Sequence, residues 1–171
     1  MKRQGLWLLL AASAAVLGAC STTTAPPMSM TSPKAAPAPD GMKWNYERAP
    51  EGKMMLAYGV PASDVVGLVF SCERKAKSVG LVTDLARGKA GAGVVRLNSG
   101  KAQGRYAVQL TRSELTGGWE ASGDIPLANV VLAAFEKTGL ISLVEDKAYP
   151  QDARSAAERA DIKRFFGFCR G

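Results

Sequence analysis

Histidine is missing from the whole chain. Its absence removes the commonest general base, the commonest metal-ligating side chain and the only side chain that ordinarily titrates near neutral pH. No Ser-His-Asp or Cys-His arrangement can be assembled. Other signatures of catalysis are lacking too. There is no Ser-x-x-Lys, no Gly-x-Ser-x-Gly, no Cys-x-x-Cys and no EF-hand loop. Gly88-Lys89 lies in a glycine-rich stretch without the spacing of a phosphate-binding loop. These gaps predict a protein with no catalytic residues, no metal and no cofactor. Long apolar runs are scarce as well. The longest, Leu6 to Gly18, is shorter than the roughly 20 residues that span a bilayer. Cysteine occurs three times.

What is present begins with that run. Lys2 and Arg3 precede it, and Leu17-Gly18-Ala19-Cys20 closes it. A charged n-region, an apolar h-region and small residues at the exit make residues 1–19 a signal peptide. The closing tetrapeptide resembles a bacterial lipobox. The resemblance implies cleavage before Cys20 and acylation of its thiol, with several acyl chains as a stable anchor. The rivals are ordinary secretory cleavage after Ala19, which prefers a smaller residue than Leu17 at that site, and an incidental Cys20. Ser21 follows the cysteine. By resemblance to the enteric sorting rule, the lack of Asp there directs the protein to the outer membrane, facing the periplasm.

Residues 20–40 follow as STTTAPPMSMTSPKAAPAPD behind the cysteine. Pro, Ala, Ser and Thr without apolar periodicity cannot bury enough surface to offset their ordering entropy, so the segment reads as a disordered tether. Fully extended, it reaches roughly 60 Å. Loss of Lys2 and Arg3 with the leader lowers the formal charge of +7 by two. The remaining positive balance favours anionic surroundings, among them lipid headgroups, peptidoglycan and acidic proteins. No basic-aromatic stripe points to nucleic acid.

Residues 41–171 suffice for one domain with its own core. Trp44 and Tyr46 alternate in an opening segment, and Met54 to Val60 reads as a strand that ends at Pro61. Val66, Leu68, Phe70 and Cys72 share one face of the strand Val65 to Glu73. A polar turn leads to a partner strand, Ser78 to Thr83, as a hairpin. Gly88, Gly91 and Gly93 read as a loop. Val94 to Leu97 and Arg105 to Leu110 form a second pair through Asn98-Ser99-Gly100, and Trp119 to Gly123 follows the Gly117-Gly118 turn. Asp124-Ile125-Pro126 reads as a helix start, with Leu127, Val131, Ala134 and Phe135 at helical spacing and Gly139 as its end. Leu140 to Val144 is a short strand. After Pro150, Asp152 or Ser155 can cap a last helix, Ser155 and Glu158 having capping-box spacing, and in that helix Ile162, Phe165, Phe166 and Cys169 form a stripe; Gly167 is a possible stop. The expected fold is mainly β (α+β): a single antiparallel β-sandwich or small barrel with one or two C-terminal helices packed on it.

Cys72 and Cys169 should both face the core. Export to an oxidising compartment, with Cys20 acylated, leaves these two to pair. Two buried free thiols, or a catalytic thiol with no histidine to activate it, are the alternatives. Trp44, Tyr46 and Trp119 are the candidate contact surface. Glu73 with Asp84, and Glu120 with Asp124, are the carboxylate pairs a glycosidase would need.

Phe70-Ser71-Cys72, the segment Ala134-Phe135-Glu136-Lys137-Thr138-Gly139 and the terminal helix ending in Cys169 resemble small exported β-sandwich proteins of proteobacteria, among them type VI secretion accessory proteins. That resemblance implies a fold and a disulfide. Ser99-Gly100 followed by Tyr106 resembles the Ser-Gly-x-x-Tyr motif of membrane-bound inhibitors of C-type lysozyme, but with five residues intervening. The inhibitors' target is basic, as is this chain. The expectation is a non-catalytic lipoprotein, anchored in the membrane through Cys20, that binds an envelope protein or peptidoglycan. The alternatives are a lysozyme-inhibitor-like protein and an envelope hydrolase with a carboxylate site.

Overall fold

Alternating apolar residues build strands from the first described residues onward. A computed structural model describes residues 40–171; the leader, Cys20 and the tether to residue 39 lie outside the described residues. Strands β1 (Lys43–Arg48), β2 (Met54–Gly59), β3 (Val66–Cys72) and β4 (Ser78–Leu85) are sequential antiparallel neighbours. The chain then crosses to β5 (Gly91–Ser99) and returns through β6 (Ala102–Arg112) and β7 (Trp119–Pro126), so that β7 pairs with β4. Helix α1 (Val130–Thr138) leads to β8 (Ser142–Val144), which joins the far side of β5, then to β9 (Ala148–Pro150) and helix α2 (Ala156–Arg170). The result is one nine-stranded antiparallel sheet, ordered β1-β2-β3-β4-β7-β6-β5-β8-β9, curled into a half-barrel with two helices. The protein is mainly β, as the sequence pattern predicts. The second layer over the core is helical.

Period-two burial decides which face is covered. Leu68, Phe70 and Cys72 of β3, Val79 and Leu81 of β4, Tyr106, Val108 and Leu110 of β6, and Ala121 and Ile125 of β7 point into one cluster. Val131, Leu132 and Phe135 of α1 meet them there, with the stripe Ile162, Phe165, Phe166 and Cys169 of α2. At the centre Trp44 stacks on Phe70 at 6.1 Å and tilts against Phe135 at 4.9 Å and Tyr58 at 5.4 Å. Cys72 and Cys169 are at disulfide distance, with Cα atoms 5.7 Å apart, and tie the end of β3 to the last turn of α2. The amide of Ala76 donates to the carbonyl of Cys169 at 2.8 Å, which holds the same junction.

Helix ends follow their side chains. Ser155 caps α2: its hydroxyl accepts from the Glu158 amide, while the Glu158 carboxylate accepts from the Ser155 amide. The other carboxylate oxygen of buried Glu158 accepts from the Trp44 amide at 3.2 Å, so one side chain fastens the helix start to β1. The Trp44 indole donates to the Gln151 carbonyl at 2.7 Å.

Three local expectations are corrected. Asp124-Ile125-Pro126 does not open a helix. It completes β7, with Ile125 opposite Val79 and Pro126 opposite Ser78; proline is tolerated at a strand end. Helix α1 starts later, where Asn129 caps it by accepting from the Val131 amide at 2.9 Å and from the Tyr106 hydroxyl at 2.8 Å. Gly91 and Gly93 belong to β5, because pairing with Leu110 and Val108 outweighs their weak strand preference. Gly167 does not stop α2, which runs to Arg170. Strand β9 carries too short a pattern to be read from the sequence.

Candidate functional site at the open side of β5

Trp44 is 1% exposed and belongs to the core, so it is not part of a contact surface. Its face of β1 is the one α2 covers, a fact that alternation alone does not contain. Tyr46 is half-buried beneath the Arg164 guanidinium, 4.9 Å from its ring. Trp119 is half-buried beside Arg112, whose guanidinium lies 5.5 Å from its ring. Tyr46 and Trp119 stand on β1 and β7, with three strands between them. The three aromatics therefore form no common patch.

The carboxylates do not gather as paired in the sequence. Glu120 and Asp124 are both on the outer face of β7, four residues and thus about 13 Å apart along the strand, beyond the roughly 5–9.5 Å of glycosidase pairs. Glu73 follows β3 near the start of β4, and Asp84 is near the end of β4. Register instead puts Asp84 opposite Glu120. Among the described residues, no group of three or more Cys, Asp or Glu side chains is placed to hold a metal ion. No helix among them is long and apolar enough to cross a membrane.

A groove among the described residues lies elsewhere. It has a volume of about 460 Å³ and sits between the end of β4, the middle of β5 and the β8–β9 hairpin. Leu85, Val95 and Leu143 form its apolar floor, and Arg87, Arg96, Glu145 and Asp146 its polar walls. Glu145 organises it. Its carboxylate accepts from the Ala86 amide at 3.3 Å, and its carbonyl accepts from the Arg96 guanidinium. The Asp146 carboxylate accepts from the Tyr149 hydroxyl at 3.3 Å, and the Lys147 ammonium lies 5.3 Å from the Tyr149 ring. Burial pushes the Glu145 carboxyl above its ordinary range; the Ala86 amide works against this, the Asp146 charge adds to it, and Arg87 opposes it. Chemically, the groove offers an apolar floor, guanidinium donors and two carboxylates already engaged in internal hydrogen bonds.

The chain matches no family model, no curated protein and no solved structure. The functional reading therefore rests on the residues themselves. Arg87, Arg96 and Glu145 carried no signal in the sequence. Arg96 and Glu145 are separated by 49 positions, and only the pairing of β8 with β5 brings them together.

The raised Glu145 pKa has a sign that can be tested. The folded state holds this proton more tightly than the unfolded chain does. The stability contribution is present below the ordinary carboxylate pKa and is lost as pH rises through the folded value. Glu145→Gln keeps an acceptor for the Ala86 amide and removes the desolvated charge. We expect the variant to melt slightly above the parent at neutral pH, with the gap closing in acid. Thermal melts across the acidic range check this, and a variant less stable than the parent at neutral pH would contradict it.

Proposed function

We infer that the protein is a lipid-anchored component of the bacterial cell envelope that acts by binding another envelope component rather than by catalysis. The anchor reading is supported by Leu17-Gly18-Ala19-Cys20 and the proline-rich tether behind it. The binding reading is carried by one observation: the groove beside the β5 edge is an open trough, and the two carboxylates it holds are tied to Ala86 and Tyr149. Tethered to a membrane, such a domain samples a layer roughly as deep as its linker is long, which raises the local concentration of any partner in that layer. The hydrolase alternative draws on the same groove, since Glu145 is pushed towards its protonated form beside Asp146, as a general acid would need to be.

The test has two arms in living cells. Growth with an alkyne-bearing fatty acid should label the protein and keep it with the membranes, and Cys20→Ala should lose both. A photo-crosslinking residue in place of Val94, at the groove, should trap a discrete envelope protein or glycan. Release of peptidoglycan fragments by the purified protein, lost in Glu145→Gln, would instead establish the hydrolase.

A further inference from the structure

Strand β5 is paired along its whole length on one side only. It makes nine pairs with β6, from Gly91 opposite Leu110 to Ser99 opposite Ala102. On its other side, β8 meets it at Leu97 and Asn98 alone. The direction of the remaining backbone groups follows from the β5–β6 turn. That turn has two residues, and only Gly100 of the two has positive φ, +57°, the pattern of a type II′ turn with glycine first. Such a turn closes on a hydrogen-bonded pair, here Ser99 and Ala102, and the ladder then alternates. Leu97, Val95, Gly93 and Gly91 bond to β6. Asn98, Arg96, Val94 and Ala92 turn their N–H and C=O groups the other way. Asn98 finds Ser142; among the described residues Arg96, Val94 and Ala92 find no ladder partner.

The gap is built rather than frayed. Past Val144 the chain folds back, with the Glu145 amide donating to the Lys147 carbonyl at 3.1 Å. Arg96 holds the Glu145 carbonyl and the Ala86 amide holds its carboxylate, so the hairpin stands off from β5 and leaves the groove between them. The two end strands of the sheet are guarded. Strand β1 carries Lys43, Glu47 and Arg48 and has the Trp44 amide taken by Glu158, and β9 is three residues long and ends in Pro150. Charge, proline and shortness are the usual guards of a strand edge. The stretch Gly91-Ala92-Gly93-Val94 has none of them, and Ala92 and Val94 are exposed.

Charge states what the edge prefers. Arg96 lies directly opposite Arg105 on the outer face, a like-charge pair that is unfavourable in isolation. Neither residue, nor Arg87, belongs to an ion pair among the described residues. The nearby carboxylates Glu145 and Asp146 already accept from Ala86 and Tyr149.

We propose that the open edge of β5 takes an extended, acidic segment of a protein partner as an added strand, with main-chain hydrogen bonds to Ala92, Val94 and Arg96 and carboxylates set against Arg96, Arg105 and Arg87. Strand addition of this kind draws affinity from the main chain and selectivity from alternate side chains. The proposal rests on the reading of the protein as a binding module and adds the chemistry of what it binds.

The test uses the full chain purified in detergent and two capped seven-residue peptides, one alternating Val with Glu and the other Val with Lys. The acidic peptide should shift the amide resonances of Ala92, Val94 and Arg96, slow their hydrogen exchange, and bind at least about tenfold tighter than the basic one. Val94→Pro removes an edge-facing N–H while leaving the β6 ladder intact, and should abolish binding without changing the near-ultraviolet circular dichroism. Should that variant not fold, an acidic peptide N-methylated on its edge-facing amides gives the same answer on the parent chain. Arg96→Glu should reverse the peptide preference. The proposal is overturned if the acidic peptide leaves these amides unmoved, if both peptides act alike, or if the shifts fall on β1. Self-association that Val94→Pro abolishes would assign the edge to a second copy and likewise overturn it. A partner trapped in cells while the peptides do nothing would sink strand addition and leave the binding-module reading standing.

Discussion

Opening the Cys72–Cys169 bridge should cost about 4–5 kcal/mol of unfolding free energy, the largest single effect expected in this protein. The two cysteines are 97 positions apart, so the bridge closes most of the described domain into one loop. A cross-link of that span restricts the unfolded chain far more than the folded one, whose ends are already held by packing. The bridge also ties the last turn of α2 to β3, next to the amide of Ala76 on the Cys169 carbonyl. Its loss releases the last turn, which follows directly on Phe165 and Phe166 in the core. Urea unfolding of the oxidised protein, the reduced protein and a Cys72→Ala/Cys169→Ala variant measures the difference by linear extrapolation. The midpoint should fall in both altered forms, and the slope should rise as the unfolded chain expands. Equal midpoints before and after reduction would show that the covalent link contributes nothing. Because single domains commonly have only about 5–15 kcal/mol in hand, reduction should bring this one close to its limit.

Trp44→Ala should cost about 3–5 kcal/mol, as large aromatic-to-alanine changes in cores do. Four interactions end at once: the stack on Phe70, the tilted contacts with Phe135 and with Tyr58, and the indole hydrogen bond to Gln151. Little can close the hole, since Phe70 and Tyr58 are fixed on strands and Phe135 on a capped helix. Trp44→Phe separates the terms. It keeps much of the ring contact and leaves the buried Gln151 carbonyl without its donor, so about 1–3 kcal/mol is expected. Denaturant titration of both variants gives the two numbers. The same pair distinguishes core from contact surface. Trp44→Phe, folded, should still engage whatever the parent engages; loss of binding without loss of stability would return Trp44 to the surface role that its alternation with Tyr46 suggested.

Much of the architecture was legible in the residue pattern because it is recorded locally. Alternation marks Leu68, Phe70 and Cys72 as one face of a strand, and Tyr106, Val108 and Leu110 as another. The stripe on α2 and the Ser155–Glu158 cap are likewise written within a few turns of chain. The partnership of Cys72 with Cys169 was legible for a different reason: each lies on the apolar face of its own element, and a domain of this size has one core for both to reach. Where local signals failed, longer-range pairing had overruled them. Pro126 reads as a helix opener until β4 recruits it as the end of β7, and Gly91 and Gly93 read as loop until β6 holds them in register.

By itself, then, the sequence determined most of the strands, the existence of the two helices, the cap of α2 and the meeting of two cysteines. Tertiary structure alone decided what covers the apolar face of the sheet. It put Trp44 inside under α2, carried β5 across β7 and β6 to the far side of the sheet, and set Arg96 against Glu145 beside an unpaired edge. The physical reason is range. Side-chain periodicity reports neighbours two to four positions away, whereas the groove is a gap left between β5 and β8, segments separated along the chain by β6, β7 and α1.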